Sequence, residues 1–270
     1  MSFRKITLLC AVAAFALNGA VAVSYAADAP FVPQVGQAGK DVVWVPTPQA
    51  LVDRMLDMAQ ISKSDYLIDL GSGDGRTVIT AAKRGTRAHG IEYNPDMVTL
   101  AEAAAKTEGV AGQATFAKAD IFQSDFSKAS VISLFLLTDL NLKLRPILLN
   151  MKPGTRVVSN TFNMGDWMPD DTINAGGDCV SWCTAYKWII PAKVGGDWKM
   201  GDGQLRLNQT YQMLSGTMVA GGQQIPVTNA KLNGADIAFT AGGKKYTGKV
   251  DGNAIKGTIE GGAAWSATRS

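Results

Sequence analysis

The stretch YLIDLGSGDGRT, residues 66–77, decides the fold, because it joins a short apolar strand to three alternate glycines and then to a helix start. YLIDL, bounded by turn formers, reads as a buried strand. Gly71, Gly73 and Gly75 come after it, and Asp69 stands just ahead of them. Glycine in such a turn lets the backbone approach a ligand closely and adopt positive φ at no steric cost. In an open parallel sheet the first strand-to-helix turn is the usual cradle, beyond the carboxyl ends of the strands.

Outward from this turn, strand and helix alternate. Thr47 as N-cap and Pro48 at the first helical position open a helix that runs to about Gln60. After YLIDL come a helix over Arg76–Arg84, the strand RAHGIEY, an alanine-rich helix over Pro95–Glu108 and the strand ATFAKAD. VISLFLL, a helix over Asn141–Asn150 and TRVVSN continue the pattern. Continuous apolar strands between amphipathic helices imply a parallel sheet covered on both faces, a doubly wound α/β domain. From Gln204 onward helical periodicity stops and short alternating runs are punctuated by glycine. These read as an antiparallel β-meander of about six strands, a small curved sheet or partial barrel. The expected organisation is a leader over 1–26, an extended lead-in over 27–47, the α/β domain over 48–202 and the meander over 203–270.

A chain of 270 residues, 46% hydrophobic, can bury one sizeable core and a smaller second one. Its net charge of +3 comes from scattered lysines and arginines with no basic run, so nucleic acid is not an expected partner. Arg4 and Lys5, the apolar ITLLCAVAAFAL and the small residues Ser24 and Ala26 have the layout of a secretory signal cleaved after Ala26. The alternative is an uncleaved membrane anchor. Beyond the leader only Cys179 and Cys183 remain, and with the single histidine, His89, they cannot complete a structural zinc site, so no metal is expected. The pair CVSWC forms a small disulfide if the intervening residues turn, and otherwise two free thiols. His89 reads as structural, and without a second histidine or a serine elbow hydrolytic triads fall away.

The glycine turn fails both phosphate-binding patterns. Counting three residues on from Gly73 gives Arg76 and from Gly75 gives Val78, which breaks the dinucleotide fingerprint, and no Gly-Lys-Ser/Thr comes after it for a P-loop. A carboxylate ahead of the glycines suits a ligand that brings a cation and no phosphate. Residues 66–75 and the segments after them resemble the class I S-adenosylmethionine-dependent methyltransferases. The resemblance implies a Rossmann-like sheet with S-adenosylmethionine as cofactor, Asp69 at its methionine end and Gly71, Gly73 and Gly75 in its loop. Glu92, ending the second strand, would take both ribose hydroxyls, and Asp120, ending the third, the adenine amino group. VWVPTPQALVDRML, LFLLTDLNLKLRPILL and MKPGTRVVSNTFNMGDW are similar to one subgroup, which includes the lysine methyltransferases of the mitochondrial ATP synthase c subunit and adenine nucleotide translocase. It covers about residues 42–170, and the leader and the meander depart from it.

Asp139, which ends the fourth strand in LLTDLN, where the resemblance implies the acceptor sits, is the candidate for orienting an acceptor amine and stabilising its developing cation, with Asn141 or Thr138 sharing that role. The plain alternative makes Asp139 an N-cap. Three functions are open: a methyltransferase on a protein lysine or small amine, one on a hydroxyl or lipid acceptor that is membrane-associated, and a non-catalytic cofactor-binding envelope protein. The leader points to a periplasmic or secreted product. Intact-mass measurement of the protein from an envelope fraction is expected to show a chain beginning at Ala27; a mass that retains residues 1–26 would mean an anchor instead.

Overall fold

Apolar strands alternating with amphipathic helices need a sheet buried on both faces. The computed structural model describes residues 31–177 and 179–270 and contains that sheet, seven strands in the order β3-β2-β1-β4-β5-β7-β6. At its centre β1 (Tyr66–Leu70) pairs in parallel with β2 (Arg87–Glu92) on one side and β4 (Val131–Leu134) on the other. Outside these lie β3 (Ala114–Lys118), parallel to β2, and β5 (Arg156–Asn160), parallel to β4. Chain order reverses across β1, so the crevice at its carboxyl end is the topological switch point.

The helices form two layers, because alternate strand residues face opposite ways. Leu67 joins the core beneath α1 (Gln49–Met58), α2 (Arg76–Lys83) and α3 (Pro95–Thr107), with Leu51, Val78 and Ala101 fully buried there. Ile68 and Leu70 join the opposite core, which takes Leu144 and Leu148 from α4 (Thr138–Leu148).

Two helix starts differ from the sequence reading. Pro48, not Thr47, is the N-cap of α1. Thr47 is committed elsewhere: its hydroxyl accepts from Asn160 Nδ2 at 3.3 Å and its carbonyl from Arg76 Nη1 at 2.9 Å. At α4 the strand ends early, at Leu134, and the helix begins at Thr138. Asp139 therefore lies inside the first turn and is not its N-cap.

β6 (Asp171–Asn174) and β7 (Thr184–Ile189), which sequence reading left unassigned, complete the sheet as an antiparallel edge. β6 is mostly exposed and carries a single partly buried apolar residue, Ile173, so no alternation marked it. The loop between them is closed by a Cys179–Cys183 disulfide, with Cα atoms 5.8 Å apart. Trp182, at φ 57°, supplies the turn that brings the two cysteines together.

The C-terminal part is the expected antiparallel meander, with eight strands in place of about six and closed into a barrel. Its strands are β8 (Gly196–Met200), β9 (Gly203–Thr210), β10 (Met213–Ala220), β11 (Gln223–Asn233), β12 (Asp236–Ala241), β13 (Lys244–Asp251), β14 (Ala254–Ile259) and β15 (Ala264–Arg269). β15 pairs with β8 and closes the ring, so the barrel begins before position 203. β8 carries one apolar anchor, the fully buried Trp198, and β11 contains Pro226 and an irregular register, which hid both from an alternation test. The interior is packed: Phe239 stacks on Tyr246 at 4.8 Å, and Trp265 meets Phe239 edge-on at 5.5 Å.

The sheet and the barrel belong to one compact unit, Pro33–Ser270. The turn between β9 and β10 enters the α/β part, where Tyr211 stacks on the fully buried Trp167 at 5.7 Å. Gln212, 4% exposed, accepts from Trp167 Nε1 at 2.9 Å and donates to the Met168 carbonyl at 2.8 Å. Gln212→Ala strands the buried Trp167 indole N–H and takes the donor from the Met168 carbonyl, and is expected to cost about 2 kcal/mol in urea unfolding. Sheet and barrel should still melt in a single transition; two separate transitions, with the variant unchanged, would make them independent.

Candidate functional site

The turn after β1 is built from backbone constraints. Gly71 and Ser72 both donate to the Ile91 carbonyl, at 2.8 and 3.1 Å, which ties the turn to the end of β2. Gly71, Gly73 and Gly75 all have positive φ. At Gly73 a Cβ would lie 2.6 Å from Trp44 Nε1, and at Gly75 it would lie 2.7 Å from the Phe116 ring. Glycine is needed at both positions for conformation and for room.

The other wall is a strap from the extended lead-in. Ala38 bridges Val43, and beside that bridge Gly36 N donates to the Trp44 carbonyl at 2.8 Å while Trp44 N donates to the Gln37 carbonyl at 2.9 Å. The strap lies across the carboxyl ends of β1, β2 and β3 and forms one wall of a cleft there. Sequence reasoning missed the strap as a wall of the site, along with Tyr93, Met97, Leu136 and Leu140, which also line it. The crowded Gly73 was the signal for Trp44, and it is visible only in three dimensions.

Asp69, Glu92 and Asp120, three carboxylates at the ends of three strands, line this one cleft. Asp69 is 6% exposed and accepts from Ser133 Oγ at 2.7 Å. Burial pushes its carboxyl up to about 7, the negative charges of Glu92 and Asp74 add to the rise, and the Ser133 hydroxyl opposes it. Asp74 is neutralised by Arg76, which reaches it through Nε and Nη2. No cation partners Asp69 among the described residues.

Glu92 is held by the turn it faces. Its Oε2 accepts from Gly73 N and its Oε1 from Asn94 N, both at 2.9 Å. Each oxygen keeps a lone pair for a further donor. Asp120 accepts from Lys40 Nζ at 2.7 Å and from Phe122 N at 2.9 Å. The Lys40 ammonium, then the Phe122 amide, hold its carboxyl below the usual range. Lys40 also lies 5.3 Å over the Tyr93 ring. In the glycine turn itself, the buried Ser72 Oγ has no hydrogen-bond partner among the described residues. An unmatched buried carboxylate, a two-oxygen acceptor and an orphan hydroxyl fit a ligand with a cation at one end and a diol further along. They offer no cradle of donors for phosphate.

The two other candidates sit apart from these three. Asp139 is exposed in the first turn of α4, and Thr138 beside it is half-buried. Asn141 is fully buried and donates to the carbonyls of Phe162 at 3.0 Å and Asn163 at 3.2 Å. It supports the loop after β5 and does not line the cleft. His89 bonds Thr115 across the β2–β3 pair at 2.9 Å.

Comparison with known proteins agrees with this geometry. The model of the ANTKMT methyltransferase domain matches residues 69–171. A protein-lysine N-methyltransferase of Saccharolobus islandicus is 44% identical over 152 residues, covering 55% of this chain and 94% of that protein. The Rattus norvegicus lysine N-methyltransferase of the ATP synthase c subunit is 34% identical, covering 61% and 76% of the two chains. A crystal structure described as an RNA methyltransferase from Salinibacter ruber with S-adenosyl-L-homocysteine is 47% identical, covers 56% of this chain and 96% of that one, and superposes with a TM-score of 0.52. This chain belongs to the family of the ANTKMT methyltransferase domain and is an S-adenosylmethionine-dependent methyltransferase.

Proposed function

We propose that the chain transfers a methyl group from S-adenosylmethionine to a lysine side chain of a protein. The observation that carries the acceptor is the identity to the Saccharolobus protein-lysine N-methyltransferase, which spans nearly all of that protein. When bound, S-adenosylmethionine supplies a methyl group on a positively charged sulfonium. On this reading Asp69 serves the methionine end, beside the loop of Gly71, Gly73 and Gly75. Glu92 takes the ribose hydroxyls on the lone pairs that Gly73 and Asn94 leave free, and Asp120 takes the adenine amino group.

Methyl transfer is an in-line displacement, so the protein's own part is to place and orient the amine. Asp139 contributes a negative charge where the acceptor becomes a cation. Asn141 acts one step behind, by holding the Phe162 loop. A second reading, an RNA acceptor, rests on the description of the Salinibacter structure. Scattered basic residues and an exposed Asp139 weigh against a phosphate-rich partner.

A periplasmic or secreted location is part of the proposal. The apolar leader lies outside the described residues, and the Cys179–Cys183 disulfide is what supports an oxidising compartment. Incubating the protein and tritium-labelled S-adenosylmethionine with envelope fractions tests the acceptor. Acid hydrolysis should return the label as methylated lysine. Label in nucleosides or in the lipid phase would replace the acceptor, and S-adenosylhomocysteine binding without any transfer would leave a binding protein.

S-adenosylhomocysteine at about 100 times its dissociation constant should stabilise the fold by about 2.7 kcal/mol. Glu92→Ala should remove most of that shift and lower the stability of the free protein as well, since Gly73 and Asn94 lose their acceptor. Equal shifts in wild type and variant would take Glu92 out of the site.

Asp139→Asn should leave S-adenosylhomocysteine affinity unchanged. Because Asp139 is exposed and screened by water, turnover on a lysine acceptor should fall about tenfold, less than for a buried charge. Single-turnover transfer measured beside affinity separates the two effects, and full activity would reduce Asp139 to a helix-dipole residue.

A further inference from the structure

Phe135, Phe162 and Trp182 lie together at the carboxyl end of the sheet, where no sequence pattern marked them. The ring centroids are 6.0 Å apart for Phe135 and Phe162, 5.9 Å for Phe135 and Trp182, and 5.6 Å for Phe162 and Trp182. The three come from three segments: the end of β4, the loop after β5 and the disulfide loop before β7. None belongs to the buried clusters of the sheet or the barrel. Trp182 is 42% exposed, and the neighbouring Leu137 is 47% exposed. Phe135 also lines the cleft that holds Asp69 and Glu92, so the aromatic wall is continuous with it.

The backbone holds this wall at a cost. Thr161, at φ 58°, and Trp182, at φ 57°, are two of the five residues other than glycine with positive φ among the described residues, and they set Phe162 and Trp182. For a β-branched threonine that conformation is an outlier, and such strain persists only where surrounding contacts impose it. Here they do. Thr161 N donates to the Thr184 carbonyl at 2.7 Å, Ser159 Oγ and Asn141 Nδ2 both donate to the Phe162 carbonyl, and the Cys179–Cys183 disulfide closes the loop that carries Trp182. A trio meant only for packing would be buried and would not need two strained positions.

We propose that Phe135, Phe162 and Trp182 form the seat for an ammonium-bearing side chain of the acceptor, with Trp182 presented by the disulfide-closed loop. The identification of that side chain as lysine rests on the function proposed above. Aromatic faces attract an ammonium group through their quadrupoles and retain the attraction as hydrogens on it are replaced by methyl groups. The aliphatic stem of a lysine packs on the same rings. The wall would therefore hold the substrate through successive methylations, while the neighbouring cleft binds the cofactor.

The test uses the full chain saturated with S-adenosylhomocysteine. Nα-acetyl-lysine amide, its Nε-trimethyl form and uncharged norleucine amide are titrated, and binding is followed by the indole N–H resonance of Trp182 and by ligand line broadening. Wild type should bind both cationic probes in preference to norleucine amide. Trp182→Ala should bind them about tenfold more weakly and Trp182→Phe close to wild type. The double variant Cys179→Ser with Cys183→Ser should weaken binding several-fold, and S-adenosylhomocysteine affinity should be the same in all. Trp182→Ala binding the cationic probes as tightly as wild type would overturn the seat, even if labelled methyl still appears on lysine. Cation binding lost in Trp182→Ala, with labelled methyl found in nucleosides, would keep the seat and remove the lysine reading.

Discussion

A carboxylate taken out of water with, among the described residues, a single hydroxyl donor and no counter-ion is the constraint around which the cleft is arranged. Asp69 sits at the end of the central strand because YLIDL is otherwise apolar, so its alternate residues are drawn into cores on both sides of the sheet. Burial makes its charge costly, and Glu92 nearby makes it more so. In a fold selected for stability alone, an apolar residue would serve better there. The position makes sense for a partner that arrives with a positive charge.

From that point the remaining parts fall into order. Gly73 gives its amide to Glu92, so the glycine turn also fixes the carboxylate that ends β2. Trp44 closes against Gly73 from the other side, and Lys40 reaches Asp120 at the far end. The glycine turn and the strap together thus join three carboxylates into a single surface. The barrel takes no part in that surface but covers Trp167, through Tyr211 and Gln212, on the antiparallel side of the sheet.

What could be read from the sequence was what local pattern encodes. Buried parallel strands are continuous apolar runs, so β1 to β5 were legible, and Gly71, Gly73 and Gly75 marked the turn. β6 and β7 were not, because an edge strand such as DTIN has one face in solvent and no apolar repeat. The barrel was read as a curved sheet or partial barrel of about six strands, because its closing strand, GDWKM, has Trp198 as its one fully buried residue. Asp69, Glu92 and Asp120 were found by their places at strand ends. The strap, the true start of α4 and the aromatic wall depend on contacts between segments far apart in the chain, such as Asn160 with Thr47 and Phe135 with Trp182, which no spacing rule contains.

The most direct test of a cleft built for a cationic cofactor is the ionisation of Asp69 itself. Its folded value lies above the unfolded one of about 3.9, so the protonated form is favoured in the free protein. That contribution to stability is present below about pH 4 and is lost as the pH rises through about 7. A carbon-13 NMR titration of the Asp69 carboxyl should find a midpoint near 7 in the free protein. S-adenosylmethionine, with its sulfonium, should lower that midpoint more than S-adenosylhomocysteine, whose sulfur is neutral. A midpoint near 4 in the free protein, or the same value with either ligand, would contradict the account.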